Sequence, residues 1–164
     1  MNAPGKLTVT LPSDREVLIT RWFAAPRDLV FDCWTKPELI RRWLLGPEGW
    51  TMTVCTVDLR VGGRYRYEWR STEGSVMGMG GEYREIVRPE RLGSVELFDE
   101  DWTGGEATST IVLTEEGGGT LLRQTSRYAS KEARDGALRT GMTEGMEYGF
   151  GRLDALLAER AAAR

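Results

Sequence analysis

The chain contains no histidine. That absence removes the commonest general base, the usual transition-metal ligand and every Ser-His or Cys-His nucleophile pair, so most hydrolase designs are excluded. Only two cysteines are present, Cys33 and Cys55. They are too few for a disulfide framework or a four-cysteine zinc site, do not form a Cys-x-x-Cys pair, and read as small buried thiols. An excess of one charge is also missing: 22 Lys and Arg stand against 25 Asp and Glu, a net charge of −3. This balance gives no electrostatic footprint for nucleic acid or an anionic membrane. No apolar run has signal-peptide length or reaches the roughly 18 residues of a membrane span. The expectation is a cytoplasmic protein without metal, cofactor, nucleic-acid partner or membrane span.

What is present fits one globular domain. The 164 residues are 40% hydrophobic and 29% charged, and a domain of this size buries roughly 70% of its unfolded surface. Residues 1–12 read as a flexible arm, followed by a single domain over 13–164. From Arg15 to Ala25 the chain is rich in β-branched and aromatic residues, which predicts a first strand ended by Pro26. Leu29, Val30, Cys33 and Trp34 recur at helical spacing. A second short helix follows, with Thr35 as its expected cap, Pro37 in its first turn and a stop at Gly46-Pro47. Six strands come next, over 51–60, 64–71, 76–87, 92–98, 107–114 and 120–128. Glycine-bearing turns separate most of them, including one at 103–105. Spacing this close leaves no room for crossover helices, so the strands must pair as an antiparallel meander. Ser130 then caps a long helix expected to run unbroken to about Glu159, with Leu138, Met142, Met146, Gly149, Phe150, Leu153, Leu156 and Leu157 in one arc. The fold class is α+β: a curved antiparallel sheet of six to seven strands, a long C-terminal helix in its concavity, and two short helices after the first strand.

Several residues could line a site. Gly141, Gly145 and Gly149 sit in the predicted long helix at four-residue spacing, each costing about 1 kcal/mol against alanine. They mark either close backbone approach or room left for a guest. Met77 and Met79 share one strand face while Gly78 and Gly80 leave the other bare. With Met142 and Met146 they form an adaptable apolar wall, although ordinary core packing explains any one methionine. Tyr65, Tyr67 and Trp69 alternate with charged residues, so their rings face inward, and a buried tyrosine hydroxyl needs a partner. The acidic run Asp99 to Asp101 reads as a solvated loop rather than a metal site. The glycine clusters at 78–81 and 117–119 lack the spacing and lysine of a phosphate cradle.

Five segments carry a family resemblance: Thr35 to Trp43 (TKPELIRRW), Gly46 to Trp50 (GPEGW), Asp58 to Tyr65 (DLRVGGRY), Gly81 to Leu92 (GEYREIVRPERL) and Arg152 to Leu157 (RLDALL). In this order, from about Glu16 to Glu159, they resemble the bacterial family named after the activator of the ninety-kilodalton heat-shock-protein ATPase, within the START-like (SRPBCC) superfamily. The resemblance implies a helix-grip fold with a cavity between helix and sheet, used across the superfamily for lipids, sterols, polyketides or plant hormones. It carries no catalytic residue onto this chain. Trp43 would anchor the second helix, Gly46-Pro47 turn the chain, Asp58 and Arg60 tie a strand end, and Gly62-Gly63 form a hairpin.

The first functional expectation is a non-catalytic binder of a small apolar or aromatic molecule. Its lining would be Trp69, Met77, Met79, Phe98, Met142, Met146 and Phe150, with Tyr67 and Gln124 as polar handles. An alternative is a cofactor-independent cyclase or dehydratase using Glu82 or a tyrosine, although strand parity with Met77 points Glu82 outward unless a bulge at Gly80-Gly81 shifts the phase. A co-chaperone-like protein partner rests on the family name alone and ranks last. A homodimer is compatible with the size, but no exposed apolar stripe marks an interface.

Overall fold

The computed structural model describes residues 6–100 and 105–163. The N-terminal segment expected to be a loose arm carries a short strand β1 (Thr8–Thr10), which pairs with β2 (Glu16–Phe23). Helices α1 (Arg27–Thr35) and α2 (Pro37–Trp43) follow, then β3 (Trp50–Val57), β4 (Arg64–Ser71), β5 (Val76–Val87), β6 (Arg91–Phe98), β7 (Ala107–Glu116) and β8 (Gly119–Arg127). The strands form one sheet in the order β1-β2-β8-β7-β6-β5-β4-β3, every pair antiparallel. From β3 to β8 this is the expected meander. The sheet has eight strands rather than six or seven, because β1 adds an edge too short to show period-two patterning. The turn expected at 103–105 and the end of the acidic run, Asp101, lie wholly or partly outside the described residues.

Alternation decides which face is dry. In β2, Val17, Ile19, Arg21 and Phe23 are buried between half-buried neighbours, and in β4 the same holds for Tyr65, Tyr67 and Trp69. Between α1 and α2 the capping differs from expectation. Lys36 is the N-cap of α2 without a side-chain bond, while Thr35 Oγ1 donates back to the Phe31 carbonyl at 3.0 Å. A threonine still inside the preceding helix cannot also turn forward as a cap. The anchors behave as expected: Trp43 Nε1 donates to the Cys33 carbonyl at 2.8 Å, and Arg60 Nε donates to Asp58 Oδ2 at 2.9 Å.

The C-terminal helix is not continuous. Ser130 does cap α3 (Lys131–Arg139), its hydroxyl accepting from the Ala133 amide at 3.0 Å. The chain then breaks at Gly141, whose φ of +82° lies in the left-handed region open to glycine, and restarts as α4 (Met142–Ala162). The predicted arc therefore spans two helices. Nearest to the backbone of α4 are α1, α2 and α3 rather than the strands, so side chains fill part of the distance to the sheet and leave the rest as space.

One ion pair ties α4 to the sheet. Buried Arg21 donates to Asp154 through NH1 to Oδ1 at 3.0 Å and NH2 to Oδ2 at 2.5 Å, with a further bond to the Trp22 carbonyl at 2.8 Å. Asp154 keeps 43% of its side chain exposed, so solvent screening limits what the pair contributes. Asp154→Ala is expected to lower the unfolding free energy by about 1.5–2 kcal/mol, because a buried guanidinium loses its charged acceptor. Urea titration measures this, and a loss under about 0.5 kcal/mol would show that water replaces the carboxylate.

Candidate functional site

A cavity of about 260 Å³ lies between α4 and the concave face of the sheet. This is at or just below the low end of the about 300–1,000 Å³ range of ligand pockets, a size for a one- or two-ring molecule. Strand parity builds its floor. Tyr65, Tyr67 and Trp69 of β4 lie opposite Gly81, Met79 and Met77 of β5, and all six residues sit on the inner face. Tyr83, Tyr65, Tyr67 and Trp69 form a ladder with ring centroids 5.1, 5.1 and 5.9 Å apart. Gly81 makes the ladder possible, since a Cβ there would sit 2.3 Å from the Tyr65 ring and hydroxyl. The roof comes from α4 through Met142, Gly145, Met146, Gly149 and Phe150, and Trp34, Trp43 and the Leu44–Gly46 turn close one end.

All nine residues expected to line a site border this one cavity: Tyr67, Trp69, Met77, Met79, Phe98, Gln124, Met142, Met146 and Phe150. The three glycines, alike in sequence, do different things. Gly141 breaks the helix. At Gly149 a Cβ would lie 3.5 Å from the Trp43 carbonyl, ordinary close approach, though to α2 rather than to the sheet. At Gly145 a Cβ would meet nothing within 4 Å, and this residue borders the cavity. Gly145 is thus the one whose missing side chain leaves space.

Trp43 and Trp69 present apolar wall because both indoles spend their N–H groups on backbone carbonyls. Trp43 Nε1 bonds Cys33 and Trp69 Nε1 donates to the Leu44 carbonyl at 2.8 Å. The Tyr128 hydroxyl donates to Met142 Sδ at 3.6 Å and fixes the start of α4. Gln124 Nε2 reaches Ser109 Oγ at 3.4 Å.

Polarity gathers on β6, where the sequence reading placed only Phe98. Leu92, Ser94, Glu96 and Phe98 alternate onto the inner face and all four border the cavity. Glu96 is the cavity's acid. Burial pushes its pKa up to about 7, and a hydrogen bond from the Tyr65 phenol draws it only partly back. Tyr65 Oη also lies 3.3 Å from Ser94 Oγ. Burial likewise raises the Tyr65, Tyr67 and Tyr83 phenols well above the ordinary tyrosine range, and that of Tyr128 to about 12. All four are neutral hydroxyls at physiological pH. The Tyr83 hydroxyl is buried and has no hydrogen-bond partner among the described residues. The signal for Glu96 was its parity with Phe98: a carboxylate two residues before an inward ring must also face inward.

Glu82 does not border this cavity. It borders a separate charged groove on the outer face and pairs with Arg84 Nε at 3.0 Å. The bulge in β5 falls between Tyr83 and Glu85, after Glu82, so parity with Met77 holds through Glu82. Cys33 and Cys55 are free and buried, and burial raises the Cys33 thiol to about 12. Neither is a thiolate nucleophile. No helix among the described residues is long and apolar enough to cross a membrane.

A protein from Rhodobacter sphaeroides is 33% identical, with a TM-score of 0.89 over 94% of this chain and 99% of that one. Protein Ms6760 from Mycobacterium smegmatis is 28% identical, with a TM-score of 0.82 over 93% of this chain and 97% of its own. An AHSA1-like protein from Aeromonas hydrophila shares the fold at 22% identity and a TM-score of 0.71, over 86% of this chain and 93% of that one. No curated protein matches. Residues 24–158 match the family described as Activator of Hsp90 ATPase homolog 1-like protein. That span includes both short helices, β3 to β8, α3 and most of α4, and hence every residue around the cavity, so the chain belongs to this family.

Proposed function

We propose that the protein binds a small hydrophobic or aromatic molecule in the cavity between α4 and the sheet. The observation that carries the reading is Gly145, which faces open space at a position where alanine would favour the helix by about 1 kcal/mol. Its surroundings fit the role. Methionines from β5 and α4 give an adaptable wall, and the aromatic ladder offers flat apolar area with few polar groups. The cytoplasmic setting belongs to the same reading, in keeping with two free cysteines. The family description refers to an activator of an Hsp90 ATPase, but this proposal rests on the cavity rather than on that description.

Native mass spectrometry of the purified protein, paired with thermal shift across an apolar and aromatic library, tests it. An adduct lost on unfolding, or a rise in Tm with library members, is the expected result. Gly145→Leu should stay folded, since a Cβ there meets nothing within 4 Å, and should abolish both by crowding the cavity that this residue borders. A bare mass together with no shift from any compound would overturn the reading and make the cavity a packing defect.

A further inference from the structure

The composition of the cavity wall constrains the head group of what enters it. Among the described residues, none of those around the cavity is Lys or Arg, and the chain has no histidine. Among the same described residues, Glu96 is the cavity's only carboxyl group. Neutral polar groups from five strands share the cavity wall with it, Tyr65 and Tyr67 of β4, Tyr83 of β5, Ser94 of β6, Ser109 of β7 and Gln124 of β8, and the neutral Tyr128 phenol just after β8 also feels its charge, while α4 contributes Met142, Gly145, Met146, Gly149 and Phe150. The Arg64, Arg66, Arg84, Glu82, Asp99 and Glu106 side chains border the groove on the opposite face of the sheet, which reaches Glu96 from outside. Arg66 is held by Asp99 at 2.6–2.7 Å and by Glu68 at 3.1 Å, and Arg84 by Glu82, so neither supplies a free cation to the cavity.

An anionic guest would therefore place its charge in an apolar enclosure beside a carboxyl group, with no cation to meet it. Burying a charge unpaired is among the costliest things a binding site can do. A guest that donates a hydrogen bond meets the reverse situation. Glu96 accepts it, the electron-rich faces of Tyr65 and Tyr67 attract a positive or positively polarised group, and the unpartnered Tyr83 hydroxyl gains a neighbour. Resting on the proposed binding function, we infer that the cavity selects a one- or two-ring molecule whose polar head is an N–H or O–H donor to Glu96, and rejects carboxylates of the same shape.

A protonated amine and a neutral hydroxyl share this chemistry and differ in their response to pH. An ammonium group requires the ionised carboxylate. The ionised fraction of a group with its midpoint at about 7 rises roughly tenfold from about pH 6 to about pH 8, so amine affinity should rise by a similar factor. A phenol can bond either form, and its affinity should change much less.

The probes are one naphthalene skeleton carrying different heads: naphthalene, 2-naphthol, 2-naphthylmethylamine, 2-acetylnaphthalene and 2-naphthoate, titrated calorimetrically into the full chain at both pH values. At about pH 8 a donor, the naphthol or the amine, should bind at least about tenfold more tightly than the naphthoate. The pH response of the better donor assigns the cationic or the neutral form. Glu96→Gln keeps the shape and an acceptor oxygen but cannot ionise. It should remove the amine's pH dependence and shrink the discrimination against naphthoate. Naphthoate or the acetyl compound binding as tightly as the best donor, or a Glu96→Gln profile identical to wild type, would overturn the inference even with naphthalene bound. If no member of the series binds, naphthalene included, the binding proposal and this inference fail together.

Discussion

Trp43→Ala is expected to lower the unfolding free energy by about 3–5 kcal/mol, the range for truncating a buried tryptophan. Three kinds of contact are lost together. The ring is buried where α1, α2 and α4 meet, with centroids 4.7 Å from Trp34 and 6.0 Å from Phe150. Its N–H is bonded to the Cys33 carbonyl at 2.8 Å, and Gly149 brings α4 against its backbone and six-membered ring. Removing the indole opens new space beside a cavity already present, and a wall with a void on its far side collapses poorly. Trp43→Phe, which keeps much of the apolar area and gives up the hydrogen bond, should cost markedly less. Guanidinium titration followed by far-UV circular dichroism measures both. A Trp43→Ala loss below about 1 kcal/mol would mean that the helices close over the gap and that Trp43 does not anchor them.

The Trp43 anchor was implied by the family resemblance, whereas the β4 alternation and the α4 arc were legible in the sequence because each follows a period that the backbone imposes. Tyr65, Tyr67 and Trp69 must share a face in any strand, and Leu153, Leu156 and Leu157 must share one in any helix. That is why the expected lining residues fell around a single cavity. The features that escaped are set by tertiary context. Gly141, Gly145 and Gly149 have identical spacing, yet one adopts a positive φ, one faces empty space and one admits a tryptophan. Nothing local distinguishes them, since a glycine's role depends on what approaches it. Thr35 carries the side chain of an N-cap but belongs to the preceding helix, so its hydroxyl turns backward. At three residues, β1 offers no period to read.

Glu96 was missed for a different reason. Its orientation was readable from Phe98, but a charged residue in the middle of a strand is ordinarily assigned to the wet face, and here parity outweighs that preference. The sheet accommodates the carboxyl because Tyr65 supplies a hydrogen bond and Gly81, its cross-strand neighbour, contributes no side chain. Where hydropathy and parity conflict in a strand flanked by firm inward residues, parity decides and the polar residue becomes a candidate for function.

The same carboxyl should make stability fall as pH rises through the near-neutral range, opposite to the usual behaviour of a paired carboxylate. Burial raises the Glu96 pKa from 4.5 to about 7 on folding, so the folded state holds a proton that the unfolded chain releases. Its contribution is complete below about pH 4.5 and is lost progressively as pH rises, with little left to lose above about 7. At about 1.4 kcal/mol per unit the full shift is worth roughly 3 kcal/mol, and roughly 2–3 kcal/mol once relief by water in the cavity is allowed for. Glu96→Gln has no proton to release, so the difference in unfolding free energy between wild type and variant should drift by that amount in favour of the variant between about pH 5 and about pH 8. Asp99, Asp135 and Glu159, held below the ordinary range by hydrogen bonds from Arg66, Lys131 and Arg42, act in a separate window at lower pH and cancel in the difference. Urea titrations of both proteins at half-unit pH steps provide the measurement. Parallel curves would place the Glu96 carboxyl in water rather than in the cavity, and the head-group selectivity inferred above would lose its physical basis.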